Sequence, residues 1–168
     1  MNIAKLEVIF RDSVRSGKNS FPLADKRCRV AGWGQMNDLD EFPEHLLEVE
    51  IPIMELEKCK ANYEREPRYE GMVTDFNFCA GRKGKDSCFG DSGGPMICDE
   101  KLAGIVSFGP NGECGNEDLP GVYTDVSIFS EVIERTFRTK ISPQVSRSFT
   151  SLYCFKNSLI LSVEEKIT

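Results

Sequence analysis

Between residues 47 and 53 every second residue is apolar: Leu47, Val49, Ile51 and Ile53, with Glu48 and Glu50 among them. A period of two puts these side chains on one face, so the stretch predicts a strand with one buried face. A shorter strand is expected at 28–31, stopped by Gly32, Trp33 and Gly34. Residues 54–62 predict a short helix carrying Cys59, and 63–70, rich in charge, read as a surface loop. Further strands are expected at 95–98, 102–108 and 121–125, separated by a glycine-rich loop at 81–94 and a second loop across Cys114. Ile128, Phe129, Val132, Ile133 and Phe137 recur at helical spacing, which predicts an amphipathic helix over 127–139. Many short strands, glycine-rich turns and one terminal helix predict an all-β fold, an antiparallel β-barrel with a C-terminal helix.

The two ends read differently. Residues 1–26 are mixed and polar, with a loop at 16–20. Ser142-Pro143 breaks the terminal helix, and no clear period follows it. The expected organisation is therefore a domain over 1–140 and a tail over 141–168 of unknown or no structure, to which no function is assigned. The apolar run Leu159-Ile160-Leu161 in that tail is far too short to span a bilayer.

Composition narrows the function classes. Apolar residues make up 40% and charged residues 29%, a globular rather than a disordered mixture. The net charge of −6 disfavours non-specific binding to nucleic acid or anionic lipid, so neither nucleic acid nor membrane is expected as a partner. Seven cysteines are many for this length; six lie between Cys28 and Cys114, and Cys154 stands apart. Structural zinc favours C-x2-C pairs with histidine support, yet no C-x2-C occurs and His45 is the only histidine. Disulfides in an oxidising compartment are the better reading, with no metal and no cofactor. Six cysteines allow fifteen pairings, and spacing alone does not choose among them. The chain opens Met1-Asn2-Ile3-Ala4-Lys5-Leu6-Glu7 without the apolar core of a signal peptide. The expectation is an extracellular, secreted protein whose true N-terminus is missing from this sequence.

The chemistry concentrates in Asp86-Ser87-Cys88-Phe89-Gly90-Asp91-Ser92-Gly93-Gly94-Pro95. A serine set among glycines can protrude where an extended peptide approaches its backbone, because no neighbouring side chain blocks the way. The amides of Gly90 and Ser92 can point into one concavity and stabilise a tetrahedral oxyanion. A bare glycine-serine-glycine string is equally a flexible turn, so the flanks decide.

Those flanks resemble the chymotrypsin-like serine proteases, the trypsin group in particular. The matching stretches are Cys28-Arg29-Val30-Ala31-Gly32-Trp33-Gly34, Phe78-Cys79-Ala80-Gly81, the run from Asp86 to Pro95, Gly104-Ile105-Val106-Ser107-Phe108-Gly109 and Pro120-Gly121-Val122-Tyr123-Thr124. They stand in family order and cover residues 28–140. The resemblance implies the second barrel of a two-barrel fold whose active site lies in the cleft between the barrels. It implies Ser92 as nucleophile, the Gly90 and Ser92 amides as the oxyanion hole, and Asp86 at the base of a specificity pocket walled by Gly109 and Gly121. A carboxylate at the bottom of an open slot matches Arg or Lys through charge-assisted hydrogen bonds. Protein or peptide substrates cut after Arg or Lys are therefore the implied partners. Ser107, Phe108 and Gly109 would pair with the substrate backbone as an added strand. Phe108 stands where the family usually has Trp. The segment Pro110-Asn111-Gly112-Glu113 is longer than in trypsin, with Glu113 expected near the pocket rim. The family pattern pairs Cys28 with Cys98, Cys59 with Cys79 and Cys88 with Cys114, leaving Cys154 over.

The resemblance also implies residues that are not seen. The family's general base is a histidine oriented by a buried acid, both on the first barrel. His45 falls by register on a surface loop of the second barrel and is not expected to be that base. Residues 1–6 faintly resemble the segment bearing the triad acid, which would put Asn2 at or beside its place. Asp91 would pair with the amine that zymogen cleavage releases; without that amine, its loop is expected to relax. The chain is expected to be an incomplete serine endopeptidase, inactive by itself, whose further partner is the missing first barrel. The rival expectation is a non-catalytic protease homologue that binds or regulates a partner.

Overall fold

In the computed structural model, residues 24–36, 41–140 and 164–165 are described. The expectations placed on Asn2, on the loop at 16–20 and on Cys154 lie outside these residues.

The alternating stretch forms β2, Leu47–Met54, with Leu47, Val49, Ile51 and Ile53 all buried. It pairs antiparallel with β1, Arg27–Gly32, in a register that sets Cys28 opposite Ile51 and Val30 opposite Val49. The polar faces of the two strands carry exposed pairs, Arg27 with Glu50 at 3.2 Å and Arg29 with Glu48 at 3.7 Å. Such pairs add little stability, and burial of the opposite face holds the register. Helix α1, Leu56–Tyr63, follows and buries Cys59. Next come β3, Asn77–Ala80; β4, Pro95–Cys98; β5, Lys101–Phe108; and β6, Gly121–Asp125. Helix α2, Val126–Lys140, closes the described domain.

The strands run in the order β1-β4-β5-β6-β3-β2, and the β1–β2 pairing closes them into an antiparallel barrel. A two-residue strand, β7 at Glu164–Glu165, adds parallel to the start of β2. Strands β4 and β5 are joined by Asp99 and Glu100, both at positive φ (51° and 58°), the geometry of the tight hairpin turn whose twist matches the flanking strands. Inside the barrel Val30, Ile51, Phe78, Met96 and Tyr123 pack together, the Phe78 and Tyr123 rings stacked at 5.6 Å. A second cluster under α1 gathers Cys59, Tyr63, Val73, Cys79 and Val122.

Three disulfides join Cys28 to Cys98, Cys59 to Cys79 and Cys88 to Cys114. The first ties β1 to β4 within the barrel core, and the second fastens α1 to β3.

Two readings of the pattern need correction. Tyr63, assigned to the surface loop, is the last residue of α1 and is 1% exposed. Its hydroxyl donates to the Pro120 carbonyl at 2.7 Å, so a polar tip masks an otherwise buried ring. Helix α2 forms over the expected span, yet Ile128, Phe129 and Val132 remain exposed. Against this face Phe129 meets the ring of Phe76 at 6.3 Å.

Candidate active site

The loop between β3 and β4 bends back on itself so that its two ends serve one pocket. Arg82 and Lys85 bridge through reciprocal backbone hydrogen bonds, and Gly84 N–H donates to the Gly115 carbonyl at 2.9 Å. The Cys88–Cys114 disulfide then clips this loop to the segment following β5. The result is a pocket of about 180 Å³ lined by residues that include Asp86, Ser87, Phe89, Ser92, Ser107, Phe108, Gly109 and Gly121. Ser92 is exposed while Asp86 is 1% exposed, so the pocket runs from an accessible hydroxyl inward to a buried carboxylate.

The Asp86 carboxylate is held from two sides. Its Oδ1 accepts the Ser87 N–H at 2.8 Å, and its Oδ2 accepts the Gly121 N–H at 2.9 Å. Hydrogen bonds to the ionised form offset part of the desolvation that burial imposes on a charge. Tyr123 donates its hydroxyl to Ser87 Oγ at 2.9 Å. Burial, with the Asp86 charge acting in the same direction, pushes the Tyr123 phenol well above its ordinary value, so it stays a neutral donor.

Ser92 stands on a sharp turn. Gly90 adopts a φ of 92° and Gly93 one of 81°, a region that side chains other than glycine rarely enter. Asp91 N–H donates to the Cys88 carbonyl at 3.0 Å, and Gly93 N–H to the Val106 carbonyl at 2.9 Å. The N–H groups of Gly90 and Ser92 make no hydrogen bond with the described residues. Two backbone donors with no partner among the described residues, beside an exposed serine hydroxyl, could hold a developing negative charge.

Asp91 is 3% exposed and points away from the pocket. Its Oδ1 accepts the Gly34 N–H at 2.7 Å, and its Oδ2 accepts the Cys88 N–H at 2.9 Å. The space it fills exists because Gly32 and Gly34 carry no side chain: a Cβ on either would lie 2.0 Å or 2.4 Å from Oδ1. Here the carboxylate is held by the Gly34 amide just after β1 and the Cys88 amide of its own loop.

The pocket thus gathers Asp86, Ser92, Ser107, Phe108, Gly109 and Gly121, while Gly90 is not among its lining residues. Glu113, expected near the rim, does not itself line the pocket but sits between Asn111 and Cys114, which do. It borders a neighbouring cleft of about 710 Å³, where Asn116 Nδ2 donates to its carboxylate at 2.8 Å. His45 is exposed in the bend before β2 and does not line the pocket. Sequence reasoning missed Ser87, Phe89 and Tyr123. A signal existed for Tyr123, because the period of two in β6 puts it on the same face as Gly121. No cluster of metal-ligating side chains occurs among the described residues.

Residues 7–133 match the family model described as Trypsin. Human kallikrein-8 is 41% identical over 117 residues, which cover 68% of this chain and 42% of that protein. Trypsin epsilon of Drosophila erecta is 37% identical over 135 residues, covering 79% of this chain and 51% of that one. Among solved structures, neuropsin, a serine protease expressed in the limbic system of mouse brain, superposes with a TM-score of 0.65 at 35% identity. That superposition covers 74% of this chain and 52% of the neuropsin chain. The chain spans about half the length of these relatives or less.

Proposed function

Since this chain belongs to the trypsin family of serine proteases, we propose that it forms the second-barrel half of a secreted endopeptidase that cleaves after Arg or Lys. The observation that carries this reading is one pocket with an exposed Ser92 at one end and the buried, doubly hydrogen-bonded Asp86 at the other. A guanidinium or ammonium reaching Asp86 would set the preceding carbonyl near Ser92, with the substrate backbone along Ser107, Phe108 and Gly109. Ser92 Oγ adds to the carbonyl carbon and passes its proton to a base. The oxyanion rests on the amides of Gly90 and Ser92, and the amine leaves with the proton. Water then releases the acyl group by the same route. Asp91 would take the amine of a newly cleaved N-terminus in addition to its two backbone donors. Residues 1–140 would make up the peptidase part and 141–168 a tail outside it. The three disulfides support passage through an oxidising compartment.

The base and its orienting acid would come from a first barrel, because His45 does not reach this pocket. The chain alone is therefore expected to leave Arg and Lys esters unhydrolysed and Ser92 unlabelled by a fluorophosphonate. Joined to an upstream barrel bearing His and Asp, then cleaved to free the activating amine, it is expected to turn over such substrates. Asp86→Ser should abolish the preference for basic residues. Inactivity of the completed protein would refute the enzyme reading and leave a binding or regulatory homologue.

A further inference from the structure

Beyond the pocket lies a loop whose position in space the pattern of residues does not announce. Residues 64–72 leave α1 and fold through a chain of short-range bonds. Glu66 N–H donates to the Tyr63 carbonyl at 3.1 Å, Tyr69 N–H to the Glu66 carbonyl at 2.8 Å, and Met72 N–H to the Tyr69 carbonyl at 3.0 Å. Gly71 N–H reaches back to Glu64 Oε1 at 2.9 Å. So braced, the loop presents Tyr69 to the pocket wall from outside; Tyr69 lines the 710 Å³ cleft and not the pocket itself.

Tyr69 grips the wall at two points. Its ring stacks on Phe108 with centroids 6.4 Å apart and planes 16° from parallel. Its hydroxyl accepts the N–H of Asn111 at 2.9 Å. Phe108 and Asn111 both line the pocket, and the four residues from one to the other leave the β5 ladder at Phe108. Tyr63 completes the arrangement, edge-on to Tyr69 at 5.6 Å and to Phe108 at 5.9 Å. Phe108 still pairs with Val122 of β6, but the residues beyond it have no ladder to fix them, and here one side chain touches both ends of the segment.

We propose that Tyr69 is a positioning residue for the specificity pocket, acting through Phe108 and Asn111 to hold the wall against which a substrate's basic side chain and backbone lie. The proposal rests on the charge-pocket reading given above. Tyr69 touches no reacting atom; it sets the width of the slot that leads to Asp86. Loop 64–72 is thus a remote determinant of substrate affinity.

The test titrates p-aminobenzamidine, a small cationic probe of the Asp86 pocket, into the full 168-residue chain as wild type, Tyr69→Phe and Tyr69→Ala, with thermal melting measured alongside. Phe keeps the ring and removes only the hydrogen bond, so affinity should fall about two- to tenfold. Ala removes the stack as well, and affinity should fall roughly 5- to 100-fold. The two-step order, with Phe partly rescuing Ala, is the expected signature. Should Ala not fold, the Phe variant carries the test, since it alters only one partly exposed oxygen. Equal affinities in all folded variants, whatever happens to the melting temperature, overturn the positioning role alone. Absence of probe binding by the wild type overturns the charge pocket and this proposal with it.

Discussion

Gly121→Ala is the most exacting probe of the pocket floor. The added Cβ would lie 2.5 Å from Asp86 Oδ1, 3.1 Å from Ser87 Oγ and 3.3 Å from Tyr123 Oη. Heavy atoms rest at roughly 3.5 Å, so the carboxylate must retreat by about 1 Å. It has little room to do so, being 1% exposed and hydrogen-bonded to the very residue that changes. Overpacking of this kind costs about 1–3 kcal/mol, which lowers the melting temperature by roughly 2–12 °C in a chain of this size. A carboxylate displaced by about 1 Å should also weaken p-aminobenzamidine by at least about tenfold. Gly109→Ala is the internal control. Its Cβ would find only the Gly121 Cα, at an ordinary 3.8 Å, so stability should change by less than about 0.5 kcal/mol. Calorimetry and probe titration read both variants. A Gly121→Ala protein that melts and binds like wild type would show that Asp86 does not pack against Gly121, and the pocket described here would be wrong.

Three further outcomes follow from other parts of the structure. Replacing Cys88 and Cys114 by Ala opens a loop with a sequence separation of 26; loop closure accounts for about 3.5 kcal/mol, and denaturant unfolding should shift accordingly, with probe binding lost as the wall comes free. Gly34→Ala puts a Cβ 2.4 Å from Asp91 Oδ1, so in the completed two-barrel protein fluorophosphonate labelling of Ser92 should slow by at least about tenfold, and an unchanged rate would exclude Asp91 from ordering the turn. Alkaline stability should be limited by Tyr123 and, in the same direction, Tyr63, whose phenols burial raises above the ordinary 10.0. Below pH 10 both are neutral whether the chain is folded or not. Above it the unfolded chain loses protons that the folded chain keeps, so stability falls as pH rises, by up to about 1.4 kcal/mol per unit for Tyr123. Urea titrations from pH 9 to 11.5 would refute this if the midpoint stayed level, or if Tyr123→Phe did not flatten its fall.

Strands were legible because burial on one face forces an alternation that needs no tertiary knowledge, as Leu47 to Ile53 show. The Ser92 turn was legible because a protruding serine demands glycine at Gly90 and Gly93, and both take positive φ. The cysteine pairing was not decided by residue spacing; it came with the family resemblance. What could not be read were contacts between segments distant in sequence. Gly32 and Gly34 looked like the end of a strand, but their missing side chains are the room for Asp91, some 57 residues away from Gly34. Tyr69 sat in a charged run that implied solvent, and only the fold brings it to Phe108 and Asn111. The orientation of Glu113 was hidden for a related reason: the path of a turn beyond a strand end depends on partners such as Asn116, which no periodicity encodes.

Backbone pairing in the ribbon of β4 and β5 runs past the start of β4, so the turn of Ser92, just before that strand, lies beside Ser107 near the end of β5. Gly93 N–H meets the Val106 carbonyl, and Val106 N–H meets the Gly94 carbonyl, each at 2.9 Å. The Ser92 turn is thereby measured against its own return strand, within about fifteen residues of continuous chain. In the proposed enzyme, what chooses the substrate would hang on connections outside that ribbon: the bend bearing Asp86, the stretch after Phe108, the loop bearing Tyr69. On that reading those connections could be lengthened, shortened or recharged while the Ser92 turn stays where the ribbon sets it. Selectivity and reactivity would then be separable properties of one fold.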